Sequence, residues 1–401
     1  MNVLITPSVA KGCIDAPTSK SYAHRLLICA ALSDGESVIE NISLNDDINA
    51  TVDCLHNMGA EITFRGDTAY VKGIGEKKKI DSLSLFCNES GSTLRFFIPL
   101  SLAFFHRTEF KGKGRLMERP QSVYETILPD KGCSFKKSDD VIVVEGCLKS
   151  GVYSLPGDVS SQFITGLLFT LPLLGGDSEI ALTTELQSAP YVDITIDVLS
   201  KFGIEIIKKD NRYFIKGNQK YKSVSARCEG DWSNSTFLDA FNLANGDVTV
   251  AGLNDNSFQG DKIYREFFKK LSEGYCEIDI TQYPDLGPVL MVCAAMKNGA
   301  VIYGTDRLKI KESDRASVMA EELKKFGINA EMGDNKIVIP DVILKAPTEA
   351  VCCHNDHRIA MSFAVLCSIT GGELKGAECV NKSYPEFFND IEKLGITYIV
   401  N

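Results

Sequence analysis

The stretch FGIEIIKKDNRYFIKG at residues 202–217 is the clearest copy of a pattern that recurs along the chain. An apolar helical segment ends at Gly203, and the residues after it alternate in character as they do in paired strands. A glycine suits this junction because it readily adopts the left-handed backbone that ends many helices. The pattern predicts a helix followed by a two-stranded hairpin or by its first half.

Six glycines mark copies of this pattern along the sequence. They are Gly59, Gly132, Gly203, Gly274, Gly327 and Gly395, and the copy at Gly274 is the weakest. The first three lie about 70 residues apart, which is longer than the period of a solenoid repeat. Helix, glycine and strand follow one another in many α/β proteins, so two copies would carry no weight. Six copies favour a duplicated helix–sheet subdomain, with three copies before residue 230 and three after.

Length and composition predict a two-domain protein. The 401 residues are 44% hydrophobic and 24% charged, which is enough for packed cores and too long for a single one. No stretch has the order of a signal peptide or the apolar length of a membrane span, so we expect a cytoplasmic protein. The 13 cysteines are scattered and the 5 histidines show no metal-ligand spacing, which favours reduced thiols and no metal.

The charge balance favours a small anionic ligand. The net charge of −10 argues against nucleic acid, which is bound through basic surfaces. Short basic clusters nevertheless recur beside serine, threonine and glycine. Locally basic pockets in an acidic protein are typical of sites for small anions.

These clusters stand at predicted helix starts, where unpaired backbone N–H groups and the helix dipole attract anions. Ordinary capping explains most of them equally well when each is taken alone. Taken together, with apolar helix bodies behind them, they predict helix N-termini from two domains that converge on one site. The segments are Thr18–Arg25, Glu89–Arg95, the loop Gly112–Pro120, Ser160–Gln162, Pro284–Asp285, Lys311–Arg315, Asn355–Arg358 and Lys382–Pro385.

In this order, from Lys20 to Lys382, the segments resemble the 5-enolpyruvylshikimate-3-phosphate synthase family. The resemblance implies a two-domain inside-out α/β barrel with three β-α-β-α-β-β units per domain, helices inside and sheets outside. We expect one domain to comprise residues 1–17 plus 230–401 and the other 18–229. Hinges near 17–20 and 227–231 would close a cleft around the ligands.

The resemblance also implies two neighbouring anion sites, with neither metal nor cofactor, in a monomer. The residues implied for shikimate-3-phosphate are Lys20, Ser21, Arg25, Ser160, Ser161, Gln162, Ser188, Tyr191, Asp285 and Lys311. Those implied for phosphoenolpyruvate are Lys20, Gly91, Arg119, Gln162, Arg315, Arg358 and Lys382.

The implied reaction is addition and elimination, which requires acid and base groups rather than a nucleophile. Asp285 is the candidate base for the 5-hydroxyl of the acceptor. Glu312 and Lys20 are both candidates for protonating the enol carbon and for assisting phosphate departure, and the residues do not decide between them. The charges of carboxylate and phosphate would be held by Arg119, Arg315, Arg358 and Lys382.

A few residues depart from the family pattern. Glu89 and Ser90 stand where many members have asparagine and alanine, Phe96 where many have proline, and Arg307 where some have asparagine. These changes leave the reaction intact but bear on inhibitor affinity. Glyphosate would compete with phosphoenolpyruvate beside Gly91, and the space at this glycine predicts sensitivity.

Two alternatives remain open. The related UDP-N-acetylglucosamine enolpyruvyl transferases share the fold but carry a reactive cysteine in the loop before their Arg-Pro pair, and the loop Gly112–Pro120 has none. A non-catalytic phosphate- or nucleic-acid-binding protein on the same fold would explain the basic helix starts. It would not explain Asp285 and Glu312 beside them, because acids weaken anion binding.

Overall fold

The computed structural model describes residues 1–74 and 82–401. The chain divides into two compact units. The first unit comprises Met1–Ser19 and Gly230–Asn401, and the second unit comprises Lys20–Glu229. The chain therefore crosses from one unit to the other twice.

Five predicted starts each begin a helix, at Lys20, Gly91, Ser161, Arg315 and His357, and the one at Pro284 begins a 3-10 helix that leads into another. The described residues form twelve α-helices. They are α1 Lys20–Leu32, α2 Asp46–Met58, α3 Gly91–Phe104, α4 Ser122–Ile127, α5 Ser161–Thr170, α6 Ala189–Lys201, α7 Trp232–Leu243, α8 Tyr264–Glu273, α9 Gly287–Met296, α10 Arg315–Lys324, α11 His357–Thr370 and α12 Phe387–Lys393. In the described part of the chain, none combines the length and apolar character that crossing a membrane requires.

The strands are short and alternate with these helices. They are β1 Asn2–Ile5, β2 Lys11–Asp15, β3 Ser33–Asp34, β4 Glu36–Glu40, β5 Glu61–Arg65, β6 Thr68–Lys72, β7 Ser82–Phe86, β8 Arg107–Lys111, β9 Ser134–Lys137, β10 Val141–Glu145, β11 Val152–Leu155, β12 Ser178–Leu182, β13 Ile206–Lys209, β14 Arg212–Ile215, β15 Tyr221–Lys222, β16 Ser225–Arg227, β17 Asp247–Ala251, β18 Cys276–Asp279, β19 Ala300–Tyr303, β20 Glu331–Gly333, β21 Lys336–Ile339, β22 Val351–Cys352, β23 Gly372–Lys375 and β24 Tyr398–Val400.

One four-stranded arrangement recurs in both units. A parallel pair is followed by two strands that pair antiparallel, as in β11-β12-β14-β13. Parallel neighbours need a crossover, and a helix supplies it here, so the chain order is β11, α5, β12, α6, β13, β14. The same arrangement is found in β7-β8-β10-β9, β16-β4-β6-β5, β18-β19-β21-β20 and β22-β23-β1-β24.

The repeat glycines behave as predicted except in the weakest copy. Five of them have φ between +77° and +108° and lead into antiparallel strands, namely Gly59, Gly132, Gly203, Gly327 and Gly395. Gly274 has φ +155° and ψ −172° and leads into β18, which pairs parallel with β19. The strand before the helix of this copy is β17, and within the described residues its sheet contains only one other strand, β2. The predicted hairpin is therefore missing from this copy.

The helices form the interior of each unit, and the sheets keep an exposed face. Every residue of α9 from Gly287 to Ala295 is buried, and so is α11 from His357 to Ser368. On β13 and β14, by contrast, Ile207 and Phe214 lie opposite each other and are exposed. A helix apolar around its whole circumference belongs in a core.

The predicted helix start at Lys382–Pro385 is wrong. Lys382 ends a 3-10 helix, Ala377–Lys382, and α12 begins only at Phe387. The backbone N–H groups of Ser383 and Tyr384 both donate to Val380 O and so close a turn in front of Pro385. Lys382 therefore reaches its neighbours from the end of one turn rather than from the start of a helix.

Candidate active site

Lys20 is the first residue of α1, where the second unit begins. Its Nζ lies 2.8 Å from Oδ2 of Asp47, and both side chains are partly buried. Asp47 stands in the first turn of α2, a position that favours acidic residues. The ion pair fixes the lysine at the entry of its helix.

Arg25 connects two of the residues expected at the acceptor site. Its Nη1 donates to Ser21 O at 2.7 Å, its Nη2 to Tyr191 O at 3.0 Å, and its Nε to Thr195 Oγ1 at 2.8 Å. Burial lowers the pKa of this guanidinium to about 10, so it stays charged at neutral pH. Its partners are neutral oxygens, which leave the charge uncompensated.

Gly91 allows Arg119 to approach the start of α3. A Cβ placed on Gly91 would lie 2.5 Å from Arg119 Nη1 and 2.8 Å from its Cζ. Ser90 caps the helix by accepting from Thr93 N. Any residue other than glycine would push the guanidinium away from this helix N-terminus.

Gln162 is held between the starts of α3 and α5. Its Oε1 accepts from Arg95 Nη1 at 2.7 Å, and its Nε2 donates to Ser92 Oγ at 2.9 Å. Arg95 also donates through Nη2 to Pro120 O at 2.9 Å, which ties the loop that carries Arg119 to α5. Arg95 was part of the quoted motif but not of the expected site, and its supporting role depends on contacts distant in sequence.

The remaining residues expected in the second unit lie at the starts of α5 and α6. Ser160 is the N-cap of α5 and accepts from Gln162 N, and Ser161 follows as a buried first residue of the helix. Ser188 precedes α6 with a left-handed backbone at φ +58° and is 1% exposed. A hydroxyl and a carbonyl are thereby placed next to Tyr191, whose N–H donates to Ser188 O.

Asp285 is the centre of an ionic network in the first unit. Its carboxylate accepts from Lys311 Nζ at 3.1 Å, Arg315 Nη1 at 3.0 Å and Arg358 Nη2 at 3.0 Å. Arg358 Nη1 also donates to Asp285 O at 3.1 Å. Burial alone would raise the pKa of this carboxyl, but Arg358, Lys311 and Arg315 outweigh it and hold the pKa well below its ordinary value. Asp285 is therefore an ionised acceptor at working pH.

Arg315 joins three carboxylates while being only 1% exposed. It donates to Asp285, to Glu312 at 2.7 Å, and to both oxygens of Asp356. Burial disfavours the charged guanidinium, but these carboxylates raise its pKa above the ordinary value. Asp356 in turn caps α11 by accepting from Arg358 N.

Two lysines complete the arrangement in the first unit. Burial lowers the pKa of Lys311 to about 8, with Asp285 opposing the shift. Lys382 is 6% exposed and donates to Asn355 O at 2.6 Å, immediately before the cap of α11. The network thus holds Asp285, Lys311, Glu312, Arg315 and Arg358 together, with Lys382 bonded to the loop that leads into α11.

Asp261 belongs to this region although no sequence pattern indicated it. It lies in the 3-10 helix Gly260–Ile263 and is 4% exposed. Burial and the charge of Asp285 raise its pKa to about 6, and Arg358 opposes that shift. No cap, basic cluster or repeat glycine marks the segment, so only the fold reveals the residue.

The groups of the second unit are suited to binding anions, and Asp285 of the first unit is suited to act as a base. The second unit places guanidinium, hydroxyl and amide groups at helix starts, and the first unit places an ionised carboxylate among three cations. Such groups can bind phosphate and carboxylate, move a proton and stabilise charge that develops during reaction. These are the groups of an enzyme that acts on small anionic substrates.

Comparison with known proteins gives the family. Residues 5–391 match the family model for EPSP synthase (3-phosphoshikimate 1-carboxyvinyltransferase). The 3-phosphoshikimate 1-carboxyvinyltransferase of Clostridium botulinum strain Alaska E43 is 42% identical, covering 98% of this chain and 96% of its own length. That of Clostridium acetobutylicum is 41% identical over 98% and 97%. The chain belongs to the EPSP synthase family.

A solved structure agrees in fold. EPSP synthase from Acinetobacter baumannii aligns with a TM-score of 0.81, covering 100% of this chain and 99% of that one at 22% sequence identity. This likeness confirms the predicted inside-out α/β fold of two domains, each with three related units.

Proposed function

We propose that this enzyme transfers the enolpyruvyl group of phosphoenolpyruvate to the 5-hydroxyl of shikimate-3-phosphate and releases phosphate. The hydroxyl oxygen adds to C2 of the enol as the methylene carbon gains a proton. The tetrahedral intermediate then loses phosphate, and the proton leaves the methyl group to restore the double bond. Family membership supports the reaction, and the contacts of Asp285 support its chemistry.

The Asp285 network is the observation that carries the proposal. A site that only bound anions would gain nothing from a carboxylate set against three cations. A transferase needs such a group, because the acceptor hydroxyl must be oriented and must lose its proton. Lys311, Arg315 and Arg358 keep Asp285 ionised, so it accepts a hydrogen bond from the hydroxyl as soon as the substrate binds.

In this proposal, each substrate is bound by residues of both units. Shikimate-3-phosphate is bound chiefly by the second unit, through Lys20, Ser21, Arg25, Ser160, Ser161, Gln162, Ser188 and Tyr191, and meets Asp285 and Lys311 of the first. Phosphoenolpyruvate is bound by Lys20, Gly91, Arg119 and Gln162 of the second unit and by Arg315, Arg358 and Lys382 of the first. The reaction then requires both units, with the two crossings of the chain as hinges.

Lys20 and Glu312 compete for the role of proton donor to the enol carbon. Lys20 Nζ is paired with Asp47 Oδ2 at 2.8 Å, and Glu312 accepts from Arg315 Nη2 at 2.7 Å, so both side chains are held in fixed positions. Deuterium incorporation into the methylene group of phosphoenolpyruvate in D2O measures this step. The variant that abolishes incorporation while both substrates still bind, Lys20→Met or Glu312→Gln, identifies the donor.

Phosphate release tests the function. We expect release with shikimate-3-phosphate and none with UDP-N-acetylglucosamine as acceptor. Asp285→Asn should lower kcat by about 10³-fold, within the usual contribution of a catalytic base. Asp279→Asn is the matched control, because Asp279 is an exposed acid of the same unit that accepts from Thr281 N. Release with the sugar nucleotide alone, or equal rates for the two variants, would contradict the proposal.

Inhibition by glyphosate is part of the same proposal. Gly91 lets the Arg119 guanidinium approach the start of α3, where it can bind a small phosphonate in place of phosphoenolpyruvate. We expect inhibition that is competitive with phosphoenolpyruvate at fixed shikimate-3-phosphate. Inhibition that phosphoenolpyruvate does not relieve would place the compound elsewhere.

A further inference from the structure

Gln259 is a buried amide whose hydrogen-bonding groups are all engaged. It is 4% exposed and directly precedes the 3-10 helix Gly260–Ile263. Its Oε1 accepts from Ser19 Oγ at 3.0 Å and from Trp232 N at 3.1 Å. Its Nε2 donates to Gly230 O at 2.8 Å and to Ser257 Oγ at 3.2 Å. Two donors and two acceptors are what a glutamine side chain offers, so the site matches an amide.

The partners of Gln259 lie at the two crossings of the chain. Ser19 is the last residue before the chain enters the second unit, and Gly230 is the first after it returns. The same two segments also meet through a bridge between Thr18 and Gly230 and a bond of 2.7 Å from Asp231 N to Pro17 O. One side chain therefore binds both crossing segments to the body of the first unit.

The segment that carries Gln259 also reaches the catalytic carboxylate. Asp261 lies two residues further on, and the charges of Asp285 and Arg358 both act on it. On the other side, Ser19 is joined directly to Lys20, which begins α1. A displacement of Gln259 would therefore shift both Lys20 and the Asp285 network.

We propose that Gln259 is a positioning residue for the transfer reaction, which fixes both crossing segments so that Lys20 and the Asp285 network act on the same substrate. This inference rests on the proposed function. Gln259 does not contact the reacting atoms in this proposal and acts through Ser19 and Gly230. Its loss should therefore lower turnover more than it lowers affinity for shikimate-3-phosphate, which the second unit chiefly binds.

Gln259→Met removes the amide at nearly constant size, and Gln219→Met is the matched control. Gln219 also uses its amide to join separate backbone segments, accepting from Glu205 N and donating to Glu205 O and Lys216 O, but none of these bonds reaches residues 17–20 or 229–232. We expect Gln259→Met to lower kcat at least tenfold while the Kd for shikimate-3-phosphate, measured by calorimetry, changes less than threefold. Gln219→Met should leave both unchanged.

Gln259→Glu adds a readout that simple destabilisation would not produce. An ionised glutamate still accepts from Ser19 but cannot donate to Gly230 O, whereas the protonated acid can do both. The ratio of variant to parent kcat should therefore rise as the pH falls from 8.5 to 5.5. This variant also keeps the test open should Gln259→Met fail to fold.

Amide hydrogen exchange separates this inference from the proposed function. We expect exchange at residues 18–20 and 229–232 to rise at least tenfold in Gln259→Met and not in Gln219→Met, whether or not the parent releases phosphate. Unchanged exchange at both crossings would overturn the inference. If the parent is active, a ratio of Gln259→Glu kcat to parent kcat that does not change with pH would overturn it as well. An inactive parent with the expected exchange would instead overturn the proposed function.

Discussion

The basic groups of the two units differ in what they are bonded to. In the second unit, Arg25 donates to a hydroxyl and two carbonyl oxygens, and Arg95 to an amide and a carbonyl oxygen. In the first unit, Arg315 and Arg358 donate to carboxylates, with Asp285 shared between them. Lys20 of the second unit differs from Arg25 and Arg95, because it pairs with a carboxylate, that of Asp47.

This difference in bonding partners gives the two units different chemical properties. Neutral partners orient a guanidinium without cancelling its charge, so the second unit retains attraction for a phosphate dianion. Carboxylate partners cancel much of the charge but provide ionised acceptors held in fixed positions. The second unit is therefore suited to binding, and the first to proton transfer and to stabilising charge as it develops.

The largest expected effect compares the stabilities of two arginine variants. Arg315→Met leaves Asp356 and Glu312 without their buried cation, which should cost about 3–5 kcal/mol of unfolding free energy. Arg25→Met leaves only neutral oxygens unpaired, which should cost about 1–3 kcal/mol. Urea denaturation of both variants measures the difference in unfolding free energy. Equal losses of unfolding free energy would contradict the distinction between the two units.

The second prediction concerns affinity in the second unit. Gly91→Ala places a methyl group 2.5 Å from Arg119 Nη1, so the guanidinium must move away from the start of α3. The KM for phosphoenolpyruvate should rise about tenfold or more, which corresponds to about 1.4 kcal/mol, while the KM for shikimate-3-phosphate changes little. Gly175→Ala serves as a steric control in the same unit, because no atom lies within 4 Å of a Cβ there and its backbone is not left-handed. A rise in both KM values would show that α3 as a whole had been disturbed.

The third prediction is a pH dependence of the first unit. The pKa of Lys311 is lowered to about 8, so its positive charge is lost as the pH rises through that value. The kcat/KM for shikimate-3-phosphate should then fall by about fivefold between pH 8 and 9, since the charged fraction falls from about one half at the pKa to about one eleventh one unit above it. Lys311→Arg keeps its charge and should remove this fall. A fall that persists in Lys311→Arg would assign the titration to another group.

The smallest predicted effect concerns Asp261. Its pKa is raised to about 6 in the folded chain, so the folded state binds more protons than the unfolded state between pH 4 and 6. Stability from this group is present below that window and is lost as the pH rises through it. Asp261→Asn should therefore raise the unfolding free energy at pH 7.5 by about 1 kcal/mol and have less effect at pH 4.5. Urea midpoints at the two pH values measure this, and destabilisation at pH 7.5 would show that the Asp261 charge supports Arg358.

Local signals in the sequence predicted where several helices begin and end, and the family resemblance supplied the two-domain fold. Glycine at a helix end and a polar cap at a helix start act over a few residues, so Gly203, Ser160 and Asp356 could be recognised without knowing their neighbours. The missing hairpin after Gly274 was already suggested by the weakness of that copy. The predicted helix start at Lys382 was wrong because Pro385 suggested a helix there. The chain first forms a turn in which backbone N–H groups donate to Val380 O.

Contacts between distant segments could not be predicted in this way. Asp47 pairs with Lys20 from a different helix, and Arg95 reaches Gln162 across 67 residues. Asp261 and Gln259 depend on a fold that brings their segment beside Asp285 and beside both crossings. The quoted motifs supplied the charged residues, and only the packing shows which residues orient them.

The strand β1 has a consequence for how the chain is made. It lies between β23 and β24 in its sheet, so Val3 pairs with Leu374 and with Val400. The second unit is continuous and can complete its core as soon as the ribosome has released Glu229. β1 must wait for β23, which takes roughly 7–30 seconds of further synthesis at about 5–20 residues per second. During that interval β1 is an unpaired apolar strand, which makes it a natural site for a chaperone to protect.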